Sequence, residues 1–225
     1  MDKKCIWTLN VDGYAPELTE LTFPLLRAYA SKIGAEFREI TERRWPDLPP
    51  VYEKLQLHEL GREYDWNVYV DADCLVHPDF CDITNHLRKD TVAHNGKDMA
   101  DNRWRYDEFF LRDGRHIGAC NWFTAASNWC LDLWHPLEDL TYDQAVANIF
   151  PAVHEKNSQV VTAGHLIDDY VLSRNIARYG LKFTTVQEIL AGLGRTHGYL
   201  WHVYTVSREQ KLIEMRAALK AWKIA

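Results

Sequence analysis

The sequence has little of what would make a protein fibrous, stapled or membrane-spanning. Its 11 glycines and 8 prolines in 225 residues are scattered, with no repeat or low-complexity tract, which excludes collagen-like and linker-like chains. Five cysteines (Cys5, Cys74, Cys81, Cys120, Cys130) form an odd set with no Cys-x-x-Cys pair. Neither a closed disulfide framework nor a zinc site is expected, and the thiols read as reduced. No apolar run approaches the ~20 residues of a membrane span, and the stretch after Met1-Asp-Lys-Lys is too short for a signal segment. A soluble chain in the cytoplasm is the expectation. Positive charge is also in deficit: a net charge of -6 and a pI near 5.9 argue against nucleic acid as the main partner.

What is present is an ordinary globular composition, 47% hydrophobic and 26% charged, of a length that suits one domain over residues 1–225. The order of elements predicts an α/β fold, a Rossmann-like domain with a mostly parallel central sheet flanked by helices. Lys4 to Leu9 reads as a first strand, with Asn10-Val-Asp-Gly-Tyr14 a loop at its carboxyl end. Helical spacing runs from Glu17 to Ile33, Gly34 fits a C-cap, and Ala35 to Ile40 is a second strand. This β-α-β unit predicts a nucleotide site. A helix is expected over Val51–Tyr64, a short one over Asp82–Lys89 and a strand over Thr91–His94. Further helices are expected over Asn128–Leu140 and Thr141–Val153, another before Gly180, a strand over Lys182–Val186, and an amphipathic helix over Ser207–Trp222. The charged, aromatic stretch Asn95–Arg115 reads as a loop at a substrate mouth, and His116–Ser127 as a buried strand and turn.

The chemistry is expected at Glu63-Tyr-Asp-Trp-Asn-Val-Tyr-Val-Asp-Ala-Asp-Cys-Leu-Val-His-Pro78. Asn67 to Val70 suits a strand buried on both faces. Asp71 and Asp73 follow at its carboxyl end, and an extended backbone would point both carboxylates to one side. Two like charges so close favour a hard cation between them, Mn²⁺ or Mg²⁺, with positions left for a diphosphate. The structural alternative, a turn or helix cap, is weighed against it. His197 and His202, in the aromatic stretch Thr196–Thr205, are candidates for the third ligand. Lys54 and Lys211 are candidates for phosphate contacts, Lys54 otherwise a solvated lysine. Asn121 sits mid-stretch and needs partners, structural or an acceptor hydroxyl. Asp168 and Asp169 open a helix, where acids are favoured by its dipole in any case; the sharper reading has one of them facing a sugar acceptor.

The segment Tyr52-Glu-Lys54 … Leu60 … Tyr64-Asp-Trp-Asn-Val-Tyr-Val-Asp71-Ala-Asp73-Cys-Leu-Val resembles the lysine-bearing helix and Asp-x-Asp strand of nucleotide-sugar-dependent glycosyltransferases of the GT-A fold. The resemblance implies that Asp71 and Asp73 bind Mn²⁺ or Mg²⁺ on the donor's diphosphate, joined by His202 or His197. It also implies that Thr8, Asn10 and Tyr14 belong to a nucleotide loop, and that Asp168-Asp169 corresponds to the family's acidic pair on the acceptor side. The implied reaction moves a sugar from a nucleotide-diphosphate sugar, UDP-sugar first, to a hydroxyl of a glycan, lipid-linked sugar, protein or modified base. One departure is that His197-Gly198 lacks the His-x-x-Gly-x-x-Lys-Pro pattern of some retaining members. Two alternatives stand beside this reading. A nucleotidyltransferase would release pyrophosphate, and Leu9–Tyr14 has only one of the glycines usual in its loop; a non-catalytic binding module would bind donor without hydrolysing it.

Overall fold

The computed structural model describes residues 2–95, 122–149, 152–153, 160–195, 198–203 and 206–224. Strand β1 (Lys4–Leu9) leads through a tight loop into helix α1 (Pro16–Ile33) and back along β2 (Ala35–Ile40). Proline stands at the first position of α1, where its missing N–H costs no bond. Gly34 ends the helix in the left-handed conformation (φ 68°), its N–H reaching the Ala30 and Ser31 carbonyls. The expected Val51–Tyr64 helix is instead a 3₁₀ segment (Pro50–Gln56), one α-turn, α2 (Leu57–Leu60), and a second 3₁₀ turn (Gly61–Glu63). Two prolines fix its start, and Gly61 packs so closely that an added Cβ would lie 2.7 Å from Leu131.

β3 (Trp66–Val70) follows, buried at all five positions, then β4 (Leu75–Val76), a 3₁₀ turn (Ile83–His86), β5 (Thr91–His94) and β6 (Phe123–Ser127). The helix expected over Asn128–Leu140 is a 3₁₀ segment, Asn128–Trp134, interrupted at Cys130 and finished before Pro136. Of the expected Thr141–Val153 helix only α3 (Tyr142–Ala147) forms, started by a Thr141–Gln144 capping box. Phe150 precedes a proline, a position that disfavours helix, and Ala152–Val153 is strand β7, paired with β8 (Val160–Val161). The chain ends with α4 (Ile167–Arg178), β9 (Lys182–Thr185), α5 (Val186–Gly192), β10 (Leu200–Trp201) and α6 (Arg208–Ala221).

The central sheet has the order β2-β1-β3-β6-β5-β9. β1 pairs in parallel with β2 and β3, and β5 with β9, while β6 runs antiparallel to both its neighbours. The sheet is therefore mixed but mostly parallel, as expected, with β6 alone reversed. Alternate residues supply two cores. Trp7, Tyr69, Val92 and Ala126 face a layer containing Leu133, Trp134, Ile167 and Tyr170. Ile6, Val68, Ala93 and Ala125 face one containing Leu26, Tyr29, Phe80 and Leu190. Asn67, the polar residue of β3, is satisfied: it accepts from Trp7 Nε1 at 2.8 Å and donates to the Gly61 carbonyl at 3.0 Å. A third cluster, Ala15, Leu18, Leu75 and Met215, seats α6 against α1 and β4. No helix among the described residues is long and apolar enough to cross a membrane.

Candidate metal centre

β1 hydrogen-bonds to β2 on one side and β3 on the other, so the carboxyl ends of β1 and β3 form the crevice where open α/β sheets bind ligands. Asp71 stands at that edge. Its N–H donates to the Trp122 carbonyl at 2.8 Å, extending the β3–β6 ladder by one step. Beyond it the backbone does not stay extended, contrary to the expectation from strand period. The Cys74 N–H returns to the Asp71 carbonyl at 3.0 Å, so Asp71–Cys74 is a tight turn. The Asp71 and Asp73 carboxylates converge because the chain folds back. The hydroxyl of buried Thr22 donates to the Ala72 carbonyl and holds the turn against α1.

The third group arrives from far along the chain. β10 pairs antiparallel with β4, Leu200 opposite Val76 and Trp201 opposite Leu75, and the His77 N–H donates to the Tyr199 carbonyl at 2.7 Å. This delivers His202, with Nε2 at 3.3 Å from Asp73 Oδ1 and 3.9 Å from Asp71 Oδ2. Its ring stacks on Trp122, centroids 5.1 Å apart. One ligand atom from each of Asp71, Asp73 and His202 lies within 4.8 Å of the others. Two hard carboxylates with one imidazole are a donor set that fits Mn²⁺ or Mg²⁺.

Two lysines complete the cluster. Lys54 Nζ lies 2.9 Å from Asp71 Oδ1 and 2.7 Å from Asp168 Oδ2, and 5.1 Å from the Tyr69 ring centre. Tyr69 Oη donates to Asp71 Oδ1 at 2.7 Å. Lys211 Nζ, from α6, donates to Asp73 Oδ2, which also accepts from Tyr14 Oη at 3.1 Å. Three carboxylates thus face two ammoniums and an imidazole. Burial opposes the charge on Asp73, but the hydrogen bond and charge of His202 and the ammonium of Lys211 hold its pKa far below the usual carboxylate range. Burial equally opposes the Lys54 charge, and Asp168 and Asp71 overrule it and push its pKa up. Burial, then Asp73, raises Tyr14; burial, then Asp71, raises Tyr69, so both phenols remain donors.

Of the residues singled out from sequence, Tyr14, Lys54, Asp71, Asp73, Asp168, His202 and Lys211 come together. Asp169 is half-buried, its N–H donating to Asp168 Oδ1 at 3.0 Å. Thr8 is fully buried within β1, and its hydroxyl has no partner among the described residues. Asn10 ties its loop to β2, donating to Glu39 at 2.9 Å and, through its N–H, to the Ile40 carbonyl at 2.8 Å. Asn121, His197 and nearly all of the Asn95–Arg115 loop lie outside the described residues. Three contributors were not anticipated: Tyr69, Trp122 and Thr22. Tyr69 had a readable signal, because a residue two before Asp71 on a strand shares its side of the sheet.

No protein-family model and no curated protein sequence matches the chain. Among solved structures it is similar to a glycosyltransferase involved in glycosylation of the major capsid of PBCV-1, at 10% identity and a TM-score of 0.50, covering 95% of this chain and 99% of that one. It is also similar to A197 from STIV, at 10% identity and a TM-score of 0.40 over 82% and 81% of the two chains. A third is a mutant Drosophila β1,4-galactosyltransferase 7 complexed with manganese, UDP-Gal and xylobiose, at 12% identity and a TM-score of 0.38 over 93% and 79%. The first match, nearly end to end in both chains, supports the resemblance drawn from the Asp-x-Asp segment: the chain has a glycosyltransferase fold of the GT-A kind, with an Asp-Asp-His cluster at its sheet edge.

Proposed function

We propose that the protein is a metal-dependent glycosyltransferase that moves a sugar from a nucleotide-diphosphate sugar, UDP-sugar first, to an acceptor hydroxyl. The observation that carries this reading is the convergence of Asp71, Asp73 and His202 at the carboxyl edge of β3, beside the loop leaving β1. These three residues would hold Mn²⁺ or Mg²⁺, which supplies Lewis-acid stabilisation of charge on a leaving diphosphate. Tyr14 and Lys211 stand at the same carboxylate, a phenol and an ammonium suited to phosphate oxygens. Lys54, buried between Asp71 and Asp168, holds both carboxylates in place. Asp168 carries Lys54 on one oxygen and the Asp169 N–H on the other. It therefore fits a positioning role better than that of a base.

The test is Asp73→Asn, assayed by nucleoside diphosphate release from a panel of nucleotide sugars with Mn²⁺. Turnover is expected to fall on the order of 10²-fold or more, with the circular dichroism spectrum of the folded protein retained. A folded variant turning over at the wild-type rate would sink the assignment.

A further inference from the structure

We propose that Lys211 is an internal stand-in for the divalent ion, and that metal and diphosphate bind in a mutually dependent way because the metal must displace this ammonium from Asp73. The inference rests on the metal-site reading above.

The two carboxylates are occupied differently. Asp71 has Lys54 and Tyr69 on Oδ1, and its Oδ2 accepts no hydrogen bond among the described residues. Asp73 has the Lys211 ammonium and the Tyr14 hydroxyl on Oδ2, and His202 against Oδ1. A doubly charged ion on Asp73 would stand beside the Lys211 ammonium, and like charges at that spacing repel by kilocalories per mole even at surface dielectrics. One cation has to leave.

The geometry says which one. Lys54 is pinned between two carboxylates in the main core, its side chain 4% exposed. Lys211 is 12% exposed, on the second turn of α6, which is held by the small cluster around Met215 and by the Arg208–Glu17 pair at 3.2 Å. Its four-carbon stem can swing without unpacking the helix. Leaving Asp73 in isolation is costly, so the metal alone binds weakly. A diphosphate at the ion offers the displaced ammonium new oxygens, so each ligand favours the other, and the coupling is reciprocal.

The experiment is a Mn²⁺ titration followed by loss of the free-ion EPR signal, on wild type, K211M and K211R, with Mn²⁺ alone and with a premixed Mn²⁺–pyrophosphate complex followed by calorimetry. K211M should bind Mn²⁺ alone at least tenfold tighter than wild type, K211R should stay near wild type, and the preference of K211M for the pyrophosphate complex over Mn²⁺ alone should fall at least tenfold. K211Q is the second neutral variant should K211M fold poorly. Equal or weaker Mn²⁺ binding in the folded neutral variant overturns the stand-in role while leaving the metal site intact. Absence of Mn²⁺ binding in wild type and neutral variant alike, with and without pyrophosphate, overturns the metal-site reading itself.

Discussion

Lowering the pH from 7 to 5 is expected to cost this protein stability at one identifiable residue, His94, two strands across the sheet from β3. His94 closes β5 and is 2% exposed. It sits opposite Thr124 of β6 and Thr185 of β9, and its ring stacks on Phe183, centroids 5.9 Å apart. Neither ring nitrogen has a hydrogen-bond partner among the described residues, so no hydrogen bond from them stabilises the charged form. Burial lowers the pKa from 6.5 to about 4, against the opposing charge of Glu188. The sign follows from linkage. Between these two values the unfolded chain binds a proton that the folded chain refuses, so stability is complete above the unfolded pKa and lost as pH falls through the window. At about 1.4 kcal/mol per pKa unit the full loss approaches about 3 kcal/mol, of which about 2 kcal/mol falls between pH 7 and pH 5. Urea denaturation of wild type and His94→Leu at both pH values isolates the term, since every other titrating group is common to both. The variant should lose about 2 kcal/mol less than wild type over that interval. Parallel losses in the two proteins would refute the argument, and show that His94 takes up a proton in the fold.

Gly61→Ala is expected to destabilise by about 1–3 kcal/mol in the same assay, because its Cβ would meet Leu131 at 2.7 Å and the Asn67 amide at 3.0 Å; a neutral result would mean that the 3₁₀ segment can shift as a unit. Lys54→Met leaves Asp71 and Asp168 without their shared ammonium and should cost about 3 kcal/mol or more. Lys182→Met, which removes the exposed pair with Asp90, should cost far less; comparable losses would contradict the role of burial. Loss of turnover in Asp73→Asn and tightened Mn²⁺ binding in K211M complete the set.

Those parts of the fold governed by local rules were legible. β1, α1 and β2 lie at the expected boundaries because the apolar spacing of α1 is helical and Gly34 supplies the left-handed stop. β3 was visible as an unbroken β-branched and aromatic run, the mark of burial on both faces. The segments around Leu55 and Leu131 were expected as α-helices, since leucines three or four apart suit either helix type. Both segments pack against α4; prolines stand at the start of the first, and Pro136 just past the end of the second. Asp71 and Asp73 were found for an incomplete reason: their convergence depends on the Cys74-to-Asp71 hydrogen bond, a turn that Asp-Ala-Asp-Cys does not announce.

That His202 reaches the cluster was closed to sequence, because it rests on a two-residue pairing of β10 with β4. A slip of one residue there would turn every side chain of β10 to the other face. Lys211 is different, and its placement has a local cause. Ser207 caps α6, its hydroxyl accepting from the Gln210 N–H at 3.2 Å, and the Lys211 N–H bonds the Ser207 carbonyl at 2.9 Å, which fixes the phase of the helix. Residues at i, i+4, i+7 and i+11 share a face, and from Lys211 these are Met215, Ala218 and Trp222, all members of the cluster that seats α6. A lysine heading an apolar stripe must have its charge met across the interface or reach past it to water. In this chain it is met by Asp73, so the stripe that docks the helix also decides which cation rests on the carboxylate.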